Sequence, residues 1–314
     1  PDGTVGSGWH AYWDTRNQRP LVPIQEDETA LVLWALWEYF SITGDKDLVG
    51  DLYENLILRS ADFIESFRHA ETGLPLPSWN LWEDRRGIHT FTCSTVVAGL
   101  RGAANFAEMF EDPDRADRYR KAADAVVNGM RDHLYDNDLK RFIRGRLVGD
   151  NDDHLYIDPT IDASLYGIFY FGAFEPDDPL VTTTMEAVRD QLTNPGAIGG
   201  VARFQNDGYM RQSDEFPGNS WIICTLWLAE YYLAIAKDVS GLEPAHSLLE
   251  WVTRNAFPSG VLAEQIDPRN GDPLSVSPLT WSHSSFVSTV LNYLKRYSEL
   301  TNENRKSATT VPLR

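Results

Sequence analysis

Two kinds of helical segment alternate along this sequence, and that alternation limits its fold more than any other feature. Five segments are apolar on nearly every side, as is typical of helices inside a large α-helical protein; they begin near residues 28, 92, 161, 219 and 282. Amphipathic segments with one wet face lie between them, over residues 52–67, 119–130, 181–192 and 248–252. Inner and outer helices that alternate in this way build an α/α toroid, so we predict an all-α fold of that kind. Strand signals are scarce, and only Arg141 to Leu147 suggests a short hairpin.

The connections between these helices differ in length with their direction. The turns from an inner to an outer helix are short, at residues 43–46 and 111–114. The connections from an outer to an inner helix are long, and they span residues 69–91, 135–160, 193–218 and 256–280. In a toroid all the long connections emerge at one end. Because long loops in compact domains usually carry function, we expect the functional residues at that rim.

Charge and hydropathy disfavour several classes of partner. The chain has 28 Lys and Arg against 46 Asp and Glu, a formal charge of −18. Such a field repels phosphate backbones and anionic headgroups, so we expect neither nucleic acid nor a membrane surface as a partner. No apolar run approaches the ~18 residues that a membrane span needs. No signal-peptide pattern opens the chain, which favours the cytoplasm, while the oligomeric state stays open.

The residue types that hold cofactors or disulfides show no suggestive spacing. Cys93 and Cys224 lie far apart in helical segments, which predicts a buried, reduced pair. The seven His form no metal-binding motif, and no glycine-rich phosphate loop is present, so we expect no metal and no other cofactor. His283, at the start of an inner helix, is better explained by a structural role than by ligand binding.

Two carboxylates in the long loops have neighbours that suit a carbohydrate site. Glu83 follows Trp82, Glu264 precedes Gln265, and Arg203 lies in a third loop. Paired carboxylates catalyse glycoside hydrolysis, one as the acid that protonates the leaving oxygen and the other as the base for water. The Trp side chains that could face sugar rings are Trp79, Trp82, Trp221 and Trp281. The alternative for each carboxylate is a solvated side chain, and an α/α-toroid lyase or terpenoid enzyme would need Tyr/His bases or a DxDD motif that this sequence lacks.

The same loops resemble glycoside hydrolase family 15, the glucoamylases, in archaeal or bacterial form. Residues 81–84 (LWED) resemble the general-acid loop of that family, and residues 259–267 (SGVLAEQID), followed by 279–282 (LTWS), resemble its general-base segment. Residues 218–221 (GNSW) resemble its GNPW helix start, and residues 23–30 (PIQEDETA) another helix start. The resemblance extends over nearly the whole chain and implies an (α/α)6 barrel.

The resemblance also implies an inverting, exo-acting α-glucoside hydrolase that releases β-glucose from non-reducing ends of α-glucans or maltooligosaccharides. Glu83 would be the general acid and Glu264 the general base, roughly 6.5–9.5 Å apart as in inverting enzymes. The expected substrate-binding residues are Leu81, Trp82, Asp84, Arg203, Tyr209, Trp221 and Trp281. The apolar neighbours of Glu83 favour its protonated form, whereas the polar neighbour of Glu264 lets it stay ionised.

One family motif is not found. The family has a W-x-R-D motif on an earlier loop, whereas Trp13 to Arg16 has a different order. We therefore expect the first helical hairpin of the barrel to be absent and residues 1–314 to form a single glucoamylase-like catalytic domain, with an opening loop over 1–24 and a tail over 298–314. Trehalase or isomaltose specificity, or a non-catalytic regulatory domain that binds carbohydrate, are the alternatives.

Overall fold

The computed structural model describes residues 12–14, 19–21, 24–149 and 154–309, with side chains over 24–149 and 154–302. Most of the predicted opening loop, including Thr15 and Arg16, lies outside these residues. The chain divides into two compact units. The first comprises Pro1–Pro159 and Gly167–Glu175, and the second comprises Thr160–Tyr166 and Pro176–Arg314.

Helices of the first unit pack around one almost fully buried helix. They are α1 (Glu26–Thr43), α2 (Lys46–Leu52), α3 (Leu58–Ser66), α4 (Thr90–Met109), α5 (Pro113–His133) and α6 (Gly167–Tyr170), and a π-helical turn, Tyr53–Ile57, joins α2 to α3. Helix α4 packs between α1 and α5. A Cβ atom on Gly99 would come within 2.8 Å of the Ala30 carbonyl oxygen, so glycine allows the close approach of α4 to α1. The Asp112 side chain accepts the Arg115 N–H and begins α5, as expected of an N-cap aspartate.

Short strands occupy the opening loop and the long loops of the first unit. They are β1 (Tyr12–Asp14), β2 (Arg19–Leu21), β3 (Ser78–Trp79), β4 (Arg86–His89), β5 (Tyr135–Asp136), β6 (Arg141–Phe142), β7 (Gly145–Val148) and β8 (Leu155–Asp158). One antiparallel sheet has the order β3-β4-β7-β8, while β5 pairs with β6 and β1 with β2. The hairpin predicted over Arg141–Leu147 is therefore wrong, because β6 and β7 pair with other strands. The sequence did not reveal this sheet because strands of two to four residues are too short to show a period.

The second unit has the same plan of a buried helix between others. Its helices are α7 (Pro179–Leu192), α8 (Ile222–Ile235), α9 (Glu243–Arg254) and α10 (Thr280–Thr309), with 3-10 turns at Ala163–Tyr166 and Val239–Leu242. Its strands are β9 (Val201–Ala202), β10 (Ser220–Trp221), β11 (Gln265–Ile266) and β12 (Pro273–Leu274), in the sheet order β12-β11-β10-β9. Helix α8 packs on α9 and α10. Strands β9, β11 and β12 lie within the long loops 193–218 and 256–280, and β10 lies just after the first of them. The sheet therefore brings residues of both loops together.

The predicted alternation of inner and outer helices is confirmed for α4 and α8, and the other predicted inner segments need correction. The segment near residue 161 forms a 3-10 turn and the short helix α6, and α1 exposes Tyr39 and Ile42. Helices α4 and α8 are buried along most of their length, as a helix that is apolar all round should be. Helix α10 instead exposes a stripe made by Val287, Leu291 and Leu294, at 57, 60 and 55% exposure. The pattern identifies apolar residues but not whether a neighbour covers them. Helix α10 also continues through residues 298–309 of the predicted tail.

The state of the two cysteines and the hydropathy of the helices agree with the expectations from the sequence. Cys93 and Cys224 are buried free thiols, as predicted. None of the helices in the described part of the chain combines the length and apolar character needed to cross a membrane.

Candidate functional site

Glu83 lies on a tight turn between β3 and β4 that is organised by one buried asparagine. The Asn80 side-chain oxygen accepts the backbone N–H groups of Asp84 and Arg85 at 3.1 and 3.2 Å, and its amide donates to the Asp84 carboxylate at 2.8 Å. The Glu83 N–H donates to the Asn80 carbonyl at 2.9 Å. Glu83 has a φ of 59°, a left-handed conformation that costs a non-glycine residue about 1–2 kcal/mol. The turn therefore fixes the backbone under Glu83.

The side chain of Glu83 is exposed, which corrects the expectation of an apolar setting. Its neighbours Leu81 and Trp82 are only partly buried, and Asp84 is exposed. The apolar residues next to Glu83 in sequence therefore do not bury its side chain.

Buried ionisable groups flank this turn in the first unit. The Trp79 N–H donates to the Ile24 carbonyl at 2.9 Å, which ties β3 to the start of α1. Burial raises the pKa of Asp27 to about 7 and raises that of Glu26 well above its ordinary value. Burial also lowers the pKa of His89, at the end of β4, to about 4. Asp27 is therefore neutral below about pH 7, and His89 is neutral above about pH 4.

Arg203, in the second unit, is held by an aspartate and packed among aromatic rings. It directly follows β9, and its guanidinium donates two hydrogen bonds to Asp207 at 2.8 and 2.9 Å. The guanidinium carbon lies 4.7 Å from the Phe204 and Trp221 ring centroids and 5.4 Å from that of Tyr209. The pair uses one edge of the planar fork, so the other edge points away from Asp207. The ion pair and the ring contacts together fix the orientation of the guanidinium.

Glu264 directly precedes β11, which belongs to the same small sheet as β9, the strand that Arg203 follows. In that sheet Trp221 of β10 is paired with Val201 of β9 on one side and with Gln265 of β11 on the other. The Glu264 carbonyl accepts the Ile222 N–H at 3.2 Å, and its N–H donates to Val276 at 3.0 Å. The Gln265 amide donates to the Glu264 Oε2 at 3.0 Å. Both the backbone and the carboxylate of Glu264 are therefore fixed.

The start of α10 supports the chain just before Glu264. The Ser282 hydroxyl donates to the Ala263 carbonyl at 2.8 Å, and His283 Nε2 accepts the Leu262 N–H at 3.0 Å. The structural role predicted for His283 is thus confirmed. Trp281 is 38% exposed, with its ring centroid 5.8 Å from that of Trp227.

Within the second unit, three predicted site residues are in contact, since Arg203 packs on the rings of Tyr209 and Trp221. Glu264, a fourth, is connected to them through the pairing of Trp221 with Gln265. Tyr209 is 47% exposed. Trp221 is only 3% exposed, which corrects its expected role as a sugar platform: its ring lies against Arg203. Asp207 was missed, although a carboxylate four residues after an arginine was the signal for it.

The described residues include no group of three or more His, Cys, Asp or Glu that could hold a metal ion.

Comparisons with known proteins agree with one another. The sequence model of glycosyl hydrolases family 15 matches residues 21–243. An uncharacterized glycosyl hydrolase of Methanocaldococcus jannaschii is 30% identical over 282 residues, 86% of this chain and 42% of that protein. Trehalase of Mycobacterium tuberculosis is 25% identical over 239 residues, 76% of this chain and 32% of that enzyme.

Among solved structures, a bacterial glucoamylase complexed with acarbose matches with a TM-score of 0.71 at 23% identity, over 90% of this chain and 44% of that one. This likeness confirms the predicted fold class, the all-α, α/α architecture of the glucoamylases. The chain spans less than half the length of each of these three proteins.

Proposed function

Since this chain belongs to the glycosyl hydrolases family 15, we propose that it acts in an exo-acting α-glucoside hydrolase that inverts the anomeric centre. Its substrate is an α-linked glucose oligosaccharide or polysaccharide, and its product is β-glucose from the non-reducing end. In this proposal Glu83 is the general acid and Glu264 the general base.

The observation that carries the proposal is the fixed carboxylate of Glu264, at the edge of the sheet that also carries the Arg203–Asp207 pair. A general base for water must be ionised and held in one orientation. The Gln265 amide donates to one oxygen of Glu264, and the sheet that holds Glu264 also holds the Arg203–Asp207 pair. An arginine whose fork is preoriented can bind sugar hydroxyls while the base acts on water.

The proposed reaction needs no group beyond these residues and water. Glu264 takes a proton from water as the water oxygen bonds to the anomeric carbon. The bond from that carbon to the glycosidic oxygen breaks, its electron pair goes to the oxygen, and Glu83 supplies the proton that the oxygen needs. Inversion follows because water attacks opposite the leaving group.

The other predicted residues have supporting parts in this proposal. Leu81, Trp82 and Asp84 surround the acid on its turn, and Tyr209 and Trp281 present exposed rings to a sugar. Trp221 acts by packing against Arg203.

The test is proton NMR of sugar release from maltotriose, isomaltose and trehalose. We expect β-glucose as the first product, and its loss in Glu264→Gln and Glu83→Gln. α-Glucose as the first product would refute inversion. If the wild type is as inactive as both variants on all three sugars, the result would favour the alternative, a non-catalytic domain that binds carbohydrate.

Trehalose specificity is a second candidate, because the trehalase of Mycobacterium tuberculosis is among the relatives of this chain. The same experiment separates the two: a trehalase would release equal amounts of α- and β-glucose from trehalose and spare maltotriose, since inversion affects one of the two linked sugars.

A further inference from the structure

A chain of buried amides reaches Glu264 from the loop before α8. The Gln265 amide nitrogen donates to Glu264 Oε2 at 3.0 Å, and the Gln265 side-chain oxygen accepts the Asn219 amide at 2.8 Å. Gln265 is fully buried and Asn219 is 2% exposed. Neither amide can trade these bonds for bulk water without opening the sheet.

Each amide in this chain has one allowed orientation. The Asn219 nitrogen also donates to the Met210 carbonyl at 2.9 Å, and its oxygen accepts the Gln212 N–H at 3.2 Å. These two backbone groups therefore decide which end of the Asn219 amide carries the nitrogen. That nitrogen faces the oxygen of Gln265, so the Gln265 nitrogen must face Glu264. A flipped Gln265 would place its oxygen against the carboxylate and leave buried donors and acceptors unmatched, which is costly.

From this geometry we propose that Asn219 is a positioning residue for the general base and acts on Glu264 through Gln265. This proposal rests on the role of Glu264 proposed above. The hydrogen bond occupies Oε2 of Glu264, so Oε1 is the oxygen that takes the proton from water. The loop at Met210 to Gln212 thus sets the orientation of the base without touching the substrate.

The same relay influences how tightly Glu264 holds a proton. A donated hydrogen bond stabilises a carboxylate in its charged form, and loss of the donor favours the protonated form. Other charged groups of this unit are the ion pair of Arg203 with Asp207, the ion pair of Asp267 with Arg269, and Asp162. The variants in the test below change none of these residues.

The decisive variant is Asn219→Asp, which keeps the shape and the acceptor for the Gln212 N–H but, in its ionised form, cannot donate to Gln265. We expect kcat to fall about 10-fold with KM changed less than about threefold, because a misoriented base affects the chemical step. In the pH profile of kcat/KM, the acidic limb should move upward by about 0.5–1 pH unit, because Glu264 loses the hydrogen bond that the Gln265 amide donates. In a Gln265→Met background, which already lacks the donor, Asn219→Asp should have no further effect on that limb.

A matched control is available in Asn194→Asp. Asn194 is 2% exposed and bonds the Gly218 carbonyl and the Ser220 hydroxyl, the residues on either side of Asn219, but it does not contact Gln265. It should lose stability as Asn219→Asp does, yet keep the acidic limb of the wild type. A limb that is unmoved in Asn219→Asp, or moved equally in Asn194→Asp, would overturn the proposal.

A second readout does not need activity. In ¹⁵N NMR, the side-chain amide signals of Gln265 should follow the titration of Glu264, lose that titration in Glu264→Gln, and lose it in Asn219→Asp. If Asn219→Asp does not fold, the pH profile of kcat/KM is measured for Gln265→Met instead. The acidic limb of that profile should also shift upward. If the Gln265 signals do not change as Glu264 titrates, the relay is refuted. If the wild type shows this change but releases no sugar, only the proposed function is refuted.

Discussion

Glu83 and Glu264, the two proposed catalytic carboxylates, are held in different ways. Glu83 has an exposed side chain on a turn in a left-handed conformation, and the contacts that define the turn go to its backbone and to Asn80. Glu264 is partly buried next to β11, and Gln265 bonds the carboxylate itself. The side chain of the proposed acid is thus exposed at the surface of its turn, whereas the carboxylate of the proposed base is held by a hydrogen bond to one of its oxygens.

The surroundings of the two residues differ as well. Buried ionisable groups, Glu26, Asp27 and His89, flank the Glu83 turn, and both oxygens of Glu26 are buried without a hydrogen-bond partner among the described residues. Neutral amides, Gln265 and Asn219, support Glu264. Asp27, with a pKa of about 7, changes its charge near neutral pH whereas the two amides do not, so pH should affect the two regions unequally.

The largest expected effect separates the two carboxylates by leaving group. Glu264→Gln should lower kcat on maltotriose and on α-glucosyl fluoride by about 1,000-fold each, since both need activated water. Glu83→Gln should lose as much on maltotriose but only about 10-fold on the fluoride, whose departure needs little protonation. Initial rates at saturating substrate measure both. Equal losses on the two substrates in Glu83→Gln would remove the acid assignment.

The next effect, on the free energy of unfolding, tests the contrast in pH dependence. Asp27 has an ordinary pKa of 3.8 and a folded value of about 7, so the folded state binds more protons between these values. Its contribution to stability is present below pH 3.8 and is lost as pH rises to 7. At about 1.4 kcal/mol per unit, stability should fall by roughly 2–3 kcal/mol from pH 5 to 7.5 on account of this group. Asp27→Asn should remove that fall, as measured by urea unfolding at both pH values.

His89 provides the opposite control in the same unit. Its ordinary pKa is 6.5 and its folded value about 4, so the unfolded state binds the extra proton and stability falls as pH drops below 6.5. His89→Gln should therefore gain stability at pH 5 relative to pH 7.5, by roughly 2 kcal/mol, against the wild type. Two variants that changed the pH dependence in the same direction would contradict this account of the region around Glu83.

The helices were predictable from sequence and the small sheets were not, for physical reasons. A helix such as α8 repeats its apolar pattern over several turns, whereas β10 and β11 have two residues each and no period. The sequence identified Glu264 because its neighbours form a long motif. It could not reveal the bond from Asn219 to Gln265, because 46 positions separate these residues and only the pairing of β10 with β11 brings them together.

A smaller effect tests how the Glu83 turn is held. Asn80 is 4% exposed and accepts two backbone N–H groups, so Asn80→Ala leaves both without that acceptor and should cost about 2 kcal/mol of unfolding free energy. Activity on maltotriose should fall with it, because the backbone under Glu83 loses its support, while activity on α-glucosyl fluoride should fall less. Asn128→Ala, at an exposed position of α5, is the control and should change neither. Full activity in Asn80→Ala would mean that the turn forms without its asparagine.

The smallest effect concerns the support of Glu264 by α10, and it isolates a single hydrogen bond. Ser282 is fully buried and donates to the Ala263 carbonyl, whereas Ser284, two residues later, is exposed and donates to the Trp281 carbonyl of its own helix. Ser282→Ala should cost about 1 kcal/mol of unfolding free energy and Ser284→Ala close to none, since water replaces only the second bond. If the carboxylate is held mainly by Gln265, Ser282→Ala should leave the acidic limb of the kcat/KM profile in place while Asn219→Asp moves it. A limb that moved in Ser282→Ala would show instead that the backbone before Glu264, like the backbone under Glu83, determines where the carboxylate lies.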